Sequence, residues 1–457
     1  MVCREEDLTQ GNLLKKIIFF AIPVMLSGIL QLLFNACDLI VVGKFSGDNS
    51  LAAVGSTGSL TSLIVNLFIG FSVGANVAVA RSIGRKDKER CHDIVHTSIL
   101  FSFIIGVVLT IFGVLTAKFW LLKMDTNAEI LDKATTYLRI YFAGMIFNMI
   151  YNFGSSIVRA TGETKKPLLY LFISGIINVF LNLFFVIVLG MDVDGVALAT
   201  IISQMISAIL IISYLIRVDG VIHLNIKELK IDRSSLNEII LIGLPAGIQS
   251  SFFAISNVII QTAVNSFGST AIVAGNSASN NIGSFIFVSM NALYQACITF
   301  TGQNLGARKV KNCKKVLIYC LLCVTVVGLI IGGLAVALGE PLLGMYANGE
   351  DAIKYGLIRL TIVGLSYFLC GVGDVLVGGL RGLGYSIVPM IASIIGICGI
   401  RLIWIYTVFN HNHTLQILYF SYPLSWIITA IVHLICYIFV YKRVLKRIKP
   451  RVVVETE

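Results

Sequence analysis

One acidic residue, Asp38, lies within the first long apolar stretch of the chain, next to Leu39, Ile40 and Val41. An ionised carboxylate among apolar side chains costs several kcal/mol unless a partner or a bound ion neutralises it. Its residue type and position therefore predict a cation ligand, for example for Na⁺, or a proton carrier. The alternative is a residue near the outer end of its helix, because Gly43 follows five residues later.

Two asparagines, Asn178 and Asn182, occur in a later apolar stretch and are four residues apart. In a helix this spacing places both amides on one face. Amides in apolar surroundings turn towards the protein interior, where they bind an ion or hold neighbouring helices together. We predict that both residues join Asp38 in cation or proton coupling, with helix-to-helix contact as the alternative.

A short signature occurs twice, and the offset between its copies relates equivalent positions in the two halves of the chain. Its arginine, glycine and proline are Arg159, Gly162 and Pro167 in the first copy and Arg381, Gly384 and Pro389 in the second. The copies are 381 − 159 = 222 residues apart. Arginine anchors a helix end at lipid headgroups, glycine permits an unusual turn, and proline suits the first helical turn. We interpret the signature as structural, with substrate binding by the arginines as the alternative.

The same offset also shows where the two halves of the chain differ. Adding 222 to Asp38, Asn178 and Asn182 leads to Ile260, Ile400 and Trp404. Residues that serve only the fold of a repeated unit should recur in both copies, whereas residues for ion chemistry need not. The asymmetry favours an ion site in the first half.

Asn152 and Asp374 are equivalent positions under the 222-residue offset, since each lies seven residues before its signature arginine. Asp374 is a second acid within an apolar stretch, and Gln249 lies in the first apolar stretch of the second half. We consider these three residues for a secondary cation or substrate contact. Local pairing is the alternative, as for other polar residues inside membranes.

Long apolar stretches must position all these residues. The chain is 57% hydrophobic and 13% charged, and stretches of about 20 apolar residues, enough to cross a bilayer as a helix, recur along it. We predict an all-α integral membrane protein with twelve transmembrane helices. The predicted spans are 14–42, 51–80, 94–116, 134–158, 168–189, 195–217, 237–266, 272–302, 316–339, 353–380, 388–409 and 416–441.

The spans and the repeat divide the chain into two halves. We predict an amino-terminal six-helix lobe at 1–217, a polar cytoplasmic linker at 218–236, a carboxy-terminal six-helix lobe at 237–441 and a cytoplasmic tail at 442–457. Because six is even, both lobes start on the same side and are related by a pseudo-two-fold axis along the membrane normal. Rocking of such lobes opens a central cavity to each side in turn, which is typical of a transporter.

The distribution of charge predicts the orientation. If both termini are cytoplasmic, the inside loops and helix ends hold 27 of the 35 Lys and Arg residues, as the positive-inside rule requires. We therefore expect a multi-pass protein of the cytoplasmic membrane. The basic residues behind the net charge of +11 flank helices, so we expect anionic lipid headgroups and not nucleic acid as their partners.

Six short stretches of the chain carry a resemblance to known proteins. They are LFNACDLIVVGKFSG, LAAVGS, YLRIYFAG, IVRATGETKKP, GVALAT and LRGLGYSIVP. In these stretches the chain resembles the MATE family, the multidrug and toxic compound extrusion transporters. The resemblance covers about residues 12–441 and implies a twelve-helix fold. It also implies export of organic cations or amphipathic drugs in exchange for Na⁺ or H⁺ by alternating access, with no cofactor besides the coupling ion. We expect a monomer.

The resemblance extends to the site residues in part. Asp38 matches the first-helix aspartate of the family, which is implicated in cation coupling. Asn182 departs from the pattern, because the family frequently has aspartate there. One branch uses a seventh-helix acid for sodium, and the seventh span of this chain has none. We therefore expect the chain to be more similar to the DinF-like branch than to the NorM branch.

Other energy sources and activities find no support in the sequence. The chain lacks a Gly-Lys-Ser/Thr phosphate loop and the motifs of hydrolases and metalloproteases. We therefore expect an ion-driven carrier and not an enzyme. The alternatives are a lipid-linked oligosaccharide flippase of the same superfamily and a major-facilitator-like carrier, which also has twelve spans in two parallel halves.

Overall fold

The computed structural model describes residues 7–347 and 349–448, and over these residues the chain folds into α-helices. The helices are α1 (Leu13–Phe45), α2 (Asp48–Arg85), α3 (Lys88–Lys123), α4 (Ala128–Ala143), α5 (Met145–Ala160), α6 (Lys165–Leu183), α7 (Val193–Arg217), α8 (Arg233–Asn265), α9 (Thr270–Gly306), α10 (Val310–Ala337), α11 (Gly339–Gly344), α12 (Glu350–Arg359), α13 (Leu365–Gly382), α14 (Ile387–Ser393), α15 (Ile400–Trp404) and α16 (Leu415–Ile448). The predicted all-α fold is confirmed. Positions 1–6 of the predicted first lobe and 449–457 of the predicted tail lie outside the described residues.

Eleven helical segments in the described part of the chain are long and apolar enough to cross a membrane. They coincide with eleven of the twelve predicted spans. The remaining predicted span, 134–158, consists of two shorter helices, α4 and α5, which meet at Gly144. A Cβ atom on Gly144 would lie 2.8 Å from Cγ1 of Ile201 on α7. Close packing therefore requires glycine where the span is interrupted.

Four π-helical turns continue or interrupt helices within the described residues. They are Phe184–Val188, Leu360–Gly364, Ile394–Gly399 and Ile405–Phe409. Each accommodates an extra residue and changes the direction of the side chains that follow, which is frequent near functional sites. The first π-helical turn begins two residues after Asn182.

Contacts along the chain define two compact units. The first contains Phe20–Val79 and Lys88–Val258, and the second contains Asp7–Phe19, Ala80–Asp87 and the described residues between 259 and 448. In the first unit, α3 packs against α4 and α5, and α7 packs against α4, α5 and α6. In the second, α9, α10 and α13 pack against one another, and α16 packs against α13. The predicted lobe boundaries, 1–217 and 237–441, stay a prediction.

The connection from α7 to α8 is held to α3 by polar contacts. Oδ2 of Asp232 accepts hydrogen bonds from the amide and the hydroxyl of Ser235, both at 2.7 Å, and so caps the first turn of α8. Arg90 on α3 lies 2.9 Å from the same oxygen. The Ser235 hydrogen bonds lower the pKa of Asp232, and the charge of Arg90 acts in the same direction. This cap is therefore charged at neutral pH, and its contribution to stability is lost only as the pH falls through the lowered pKa.

A glycine lets α3 and α5 approach each other closely. Gly106 on α3 is buried, and a Cβ atom there would lie 2.5 Å from Cα of Ile146 on α5. Lipid is as apolar as the side chains it surrounds, so close packing of this kind is a main source of helix association in membranes.

Replacing Gly106 with Ala should separate α3 from α5 and cost about 1–3 kcal/mol of stability. We expect a lower melting temperature of the protein purified in detergent. Gly58→Ala is the matched control, because a Cβ atom on Gly58 has no described atom within 4 Å. The control should keep or slightly raise the melting temperature. Equal melting temperatures of the two variants would contradict this packing.

Candidate functional site

Three helices of the first unit bring polar side chains together. α1 carries Asp38, α6 carries Asn178 and Asn182, and α7 carries Thr200. Each helix satisfies its own backbone polar groups, so these side chains are the groups that still need partners in apolar surroundings. The structure thus places the three residues predicted for ion coupling in one connected group, to which it adds Thr200.

Hydrogen bonds connect the Asp38 carboxylate to both neighbouring helices. The side-chain amide of Asn182 donates to Oδ1 of Asp38 and lies 3.4 Å from Oδ1 of Asn178. The hydroxyl of Thr200 lies 3.5 Å from Oδ2 of Asp38 and 3.0 Å from the backbone oxygen of Val196. Both carboxylate oxygens therefore face neutral donors, and Asp38 has no basic partner among the described residues.

One buried oxygen in this group has no hydrogen-bond partner. Asn178 and Asn182 are both buried, yet Oδ1 of Asn182 accepts no hydrogen bond from the described part of the chain. Leaving such an oxygen unpaired costs about 1–3 kcal/mol. Carboxylate, amide and hydroxyl oxygens are the donors that hard cations prefer. The residues present therefore fit a small cation such as Na⁺.

Two tyrosines of α4 lie near the carboxylate and belong to an apolar cluster. The rings of Tyr137 and Tyr141 are stacked, with 6.2 Å between their centroids, and both residues are within electrostatic reach of Asp38. Val42 and Val196 belong to the same apolar cluster as Tyr137. Charges interact more strongly in such surroundings than in water, so the carboxylate can attract a cation strongly here.

Sequence reasoning did not single out Thr200, Tyr137 or Tyr141. Thr200 ends the stretch GVALAT, and both tyrosines lie in the stretch YLRIYFAG. Both stretches carry the resemblance to the MATE family, so that resemblance was the available signal. Their proximity to Asp38 depends on how α1, α4 and α7 pack, which spacing along the chain does not reveal.

The residues considered for a secondary contact have other surroundings. Asn152 donates to the backbone and side-chain oxygens of Asn148, one turn earlier on α5, at 2.9 and 3.0 Å. Gln249 is buried in α8. Asp374 belongs to the second unit, where Sγ of Cys370 lies 4.0 Å from its carboxylate. The contacts of Asn152 are thus local, and they do not connect it to Asp38.

The repeated signature forms a tight turn in both copies. Gly162 and Gly384 have φ angles of 93° and 87°, a left-handed conformation that glycine adopts at little cost. Pro167 and Pro389 are the third residues of α6 and α14, within the first helical turn. Both features are those expected of a structural turn.

The second signature arginine differs from the expected headgroup anchor. Arg381 is 4% exposed, donates to the hydroxyl of Tyr294, and has its guanidinium 5.8 Å from the centre of that ring. Arg159 donates to the hydroxyl of Ser156 at 3.1 Å. A planar guanidinium can be stabilised inside a protein by an aromatic face and polar oxygens, and Arg381 is held in this way.

Two further guanidinium groups are buried in the second unit. Arg359 donates to the side-chain oxygens of Ser279 and Asn280 at 3.2 and 3.1 Å. The guanidinium of Arg401 lies 4.1 Å from the centre of the Tyr422 ring, and that of Arg359 lies 5.7 Å from the same centre. Neutral oxygens and one shared aromatic ring thus help to hold two positive charges.

A family model, MatE, matches the chain twice, at residues 23–184 and 245–407. The chain belongs to the MatE family. The two MatE segments begin 245 − 23 = 222 residues apart, which is the offset of the repeated signature. Membership assigns the chain to this family of membrane transporters, and not to the major facilitators or to enzymes.

Relatives of this MatE protein have been named as drug-resistance proteins. It is 26% identical over 438 residues to the probable multidrug resistance protein YoeA of Bacillus subtilis, with 93% of each chain covered. It is also 26% identical over 404 residues to the probable multidrug resistance protein NorM of Thermotoga maritima, covering 85% of this chain and 84% of the relative.

Solved structures of MATE transporters have the same fold. The outward-facing conformation of a multidrug resistance MATE family transporter of the MOP superfamily has a TM-score of 0.91 at 23% identity, covering 98% of this chain and 100% of the other. A MOP superfamily transporter from Pyrococcus furiosus also has a TM-score of 0.91 at 23% identity, covering 99% and 100%. The predicted MATE-like fold is confirmed.

Replacing Tyr294 with Phe should destabilise this MatE protein, because the variant removes a hydroxyl that accepts a hydrogen bond from the buried Arg381. We expect a loss of about 1–3 kcal/mol, measured as a lower melting temperature in detergent. Tyr406→Phe is the matched control, since Tyr406 is 74% exposed. If Tyr294→Phe were as stable as Tyr406→Phe, the structural role of Arg381 would be refuted.

Proposed function

We propose that this protein is a secondary active antiporter that exports organic cations and amphipathic drugs across the cytoplasmic membrane in exchange for Na⁺ or H⁺. Membership of the MatE family and the names of the multidrug resistance relatives support the export of small molecules. The observation that carries the ion coupling is the Asp38 carboxylate, which is bound by neutral donors and linked to an unpaired oxygen of Asn182.

In this proposal the ion neutralises a charge that the apolar surroundings penalise. With Asp38 ionised and no cation bound, closing the surroundings over it is unfavourable, because no basic side chain offsets the charge. With Na⁺ or a proton bound, the net charge of the site is zero and closure is tolerated. The loaded and empty sites then favour different conformations, which is the requirement for alternating access.

The two ions would use the same atoms in different ways. Na⁺ would be held by the Asp38 carboxylate, the amide oxygens of Asn178 and Asn182 and the hydroxyl of Thr200. A proton would be carried by the carboxyl of Asp38, with the hydroxyl oxygen of Thr200, 3.5 Å away, as an acceptor. In both cases one carboxylate serves the site, because position 182 carries an amide, so we propose that one positive charge enters there per cycle.

We further propose that the protein acts as a monomer with both termini in the cytoplasm. The excess of Lys and Arg at the predicted inside loops supports this orientation, and the same residues would contact anionic lipid headgroups. This mechanism needs no cofactor besides the coupling ion.

Asp38→Asn should reduce gradient-driven uptake of ethidium into inverted membrane vesicles by about tenfold or more, because the neutral amide has no charge for the ion to compensate. Sodium and proton gradients are imposed separately, so that the gradient that drives the wild type identifies the coupling ion. Asp48→Asn is the matched control, since Asp48 is exposed at the start of α2. Full gradient-driven uptake by Asp38→Asn would disprove this coupling site.

Asn182→Ala should leave the charge in place but remove both the amide that orients it and the unpaired oxygen. We expect the concentration of the coupling ion at half-maximal uptake to rise by about tenfold, as for the loss of a hydrogen bond to a charged group. Asn410→Ala, at an exposed position, is the control. An unchanged half-maximal concentration in Asn182→Ala would exclude Asn182 from the ion site.

A further inference from the structure

The first unit contains a second group of donor atoms outside the Asp38 site. We infer that His92, His96 and Glu228 form a binding site for a divalent transition-metal ion, with Zn²⁺ as the probe. Both histidines lie near the start of α3, and Glu228 ends the short 3₁₀ turn Ile226–Glu228 in the connection between α7 and α8. One nitrogen of each histidine and one carboxylate oxygen lie within 4.8 Å of one another.

The rings of the two histidines lie against each other. A spacing of four residues places them on one face of α3, and their ring centroids are 3.8 Å apart. Nε2 of His92 lies 3.0 Å from Oε2 of Glu228. Ligands 2.0–2.1 Å from a tetrahedral Zn²⁺ are roughly 3.3 Å from one another. The His92 and Glu228 ligand atoms are therefore already at a suitable separation. A bound ion would replace the hydrogen between them, which leaves to solvent, and the ligand atom of His96 lies within 4.8 Å of both.

His96 has the tautomer that a metal ligand needs. Its Nδ1 lies 2.8 Å from the backbone oxygen of His92, and a carbonyl oxygen only accepts, so Nδ1 carries the hydrogen. The lone pair on Nε2 then accepts from the backbone amide of Asn225 at 3.0 Å. Metal-bound histidines usually donate their other N–H to a carbonyl or carboxylate in the same way. A bound ion would take the place of the Asn225 amide at Nε2.

A neighbouring amide orients Glu228, and an acidic residue lies near His92. The side-chain amide of Asn225 donates to Oε1 of Glu228, which leaves Oε2 directed to His92. Oδ1 of Asp93 lies 4.0 Å from Nδ1 of His92, on the opposite side of the ring from Glu228. Lys230 is 3.2 Å from the same Asp93 oxygen, so its positive charge is paired. The hydrogen bond from Asn225 is a supporting contact of the kind that raises the affinity of a carboxylate ligand for metal.

An ion can reach these ligands from the surface. A cavity of about 910 Å³ opens beside them, with His92, Asp93, Val221 and Lys230 in its wall. The side chains of His92 and Glu228 are 35% and 54% exposed. Two histidines and one carboxylate leave a fourth tetrahedral position on this open side, where water would complete the coordination.

Binding at this site would have a structural consequence that is separate from transport. The ion would join α3 to the connection between α7 and α8 through Glu228. It would also release the Asn225 amide from Nε2 of His96. Metal binding should therefore be visible both in a titration and in the exchange of one backbone amide with solvent.

The test uses the full chain in detergent, without a histidine tag and stripped of metal with a chelator. Zn²⁺ is titrated by calorimetry into the wild type and into His92→Asn and Glu228→Gln, two partly exposed positions at which the fold should persist. We expect one ion per chain in the wild type and at least about tenfold weaker binding in each variant. His411→Asn is the matched control, since the side chain of His411 is exposed and has no hydrogen bond or ion pair among the described residues.

Hydrogen exchange with and without Zn²⁺ supplies the second readout. We expect faster exchange at the Asn225 amide when the ion is bound to the wild type, and no change in His92→Asn. Equal affinities in the wild type and both variants, or the absence of saturable binding in the wild type, would overturn the site. Tight binding with unchanged exchange at Asn225 would overturn the assignment of His96 as a ligand.

Discussion

The hydrogen bond from Asn182 to Asp38 joins α6 to α1 and holds a carboxylate in apolar surroundings without neutralising it. An amide can orient a carboxylate, but it contributes no opposite charge. The stacked tyrosines near this bond strengthen the effect of the remaining charge, because charges interact more strongly beside apolar groups than in water. The unpaired oxygen of Asn182 is a second atom of this group that lacks a partner. A small cation would neutralise the carboxylate and bind this oxygen at the same time. The atoms that join α6 to α1 are therefore also the atoms of the proposed coupling site.

The candidate ion site and the buried arginines carry charge of opposite sign. In the first unit, the half-buried carboxylate of Asp38 is negative and its hydrogen-bond partners are neutral. In the second, Arg359 and Arg401 lie over the ring of Tyr422, and Arg381 is held by Tyr294. Aromatic faces stabilise these guanidinium groups without removing their charge. The repeated fold therefore serves different electrostatic purposes in its two copies.

Hydropathy predicted the helical spans well, because a span needs only enough apolar residues to cross the bilayer. It did not reveal the interruption at Gly144, which depends on the contact with Ile201 of a distant helix. Within the site, the spacing of Asn178 and Asn182 was sufficient to place them on one face. The hydrogen bond to Asp38 and the roles of Thr200 and Tyr137 depend on packing between helices far apart in the chain. The burial of Arg381 depends on Tyr294 for the same reason.

The π-helical turn Ile394–Gly399 bears on how the two copies of the repeat should be compared. At the equivalent place in the first copy, 172–177, the chain is an ordinary α-helix. The family matches cover 184 − 23 + 1 = 162 and 407 − 245 + 1 = 163 positions, one more in the second copy, as a single inserted residue in a π-helical turn would produce. Placing the extra residue in that turn makes the offset beyond it 223 and aligns Asn178 with Arg401 instead of Ile400. In that alignment one buried position carries a neutral amide in the first copy and a permanent positive charge in the second.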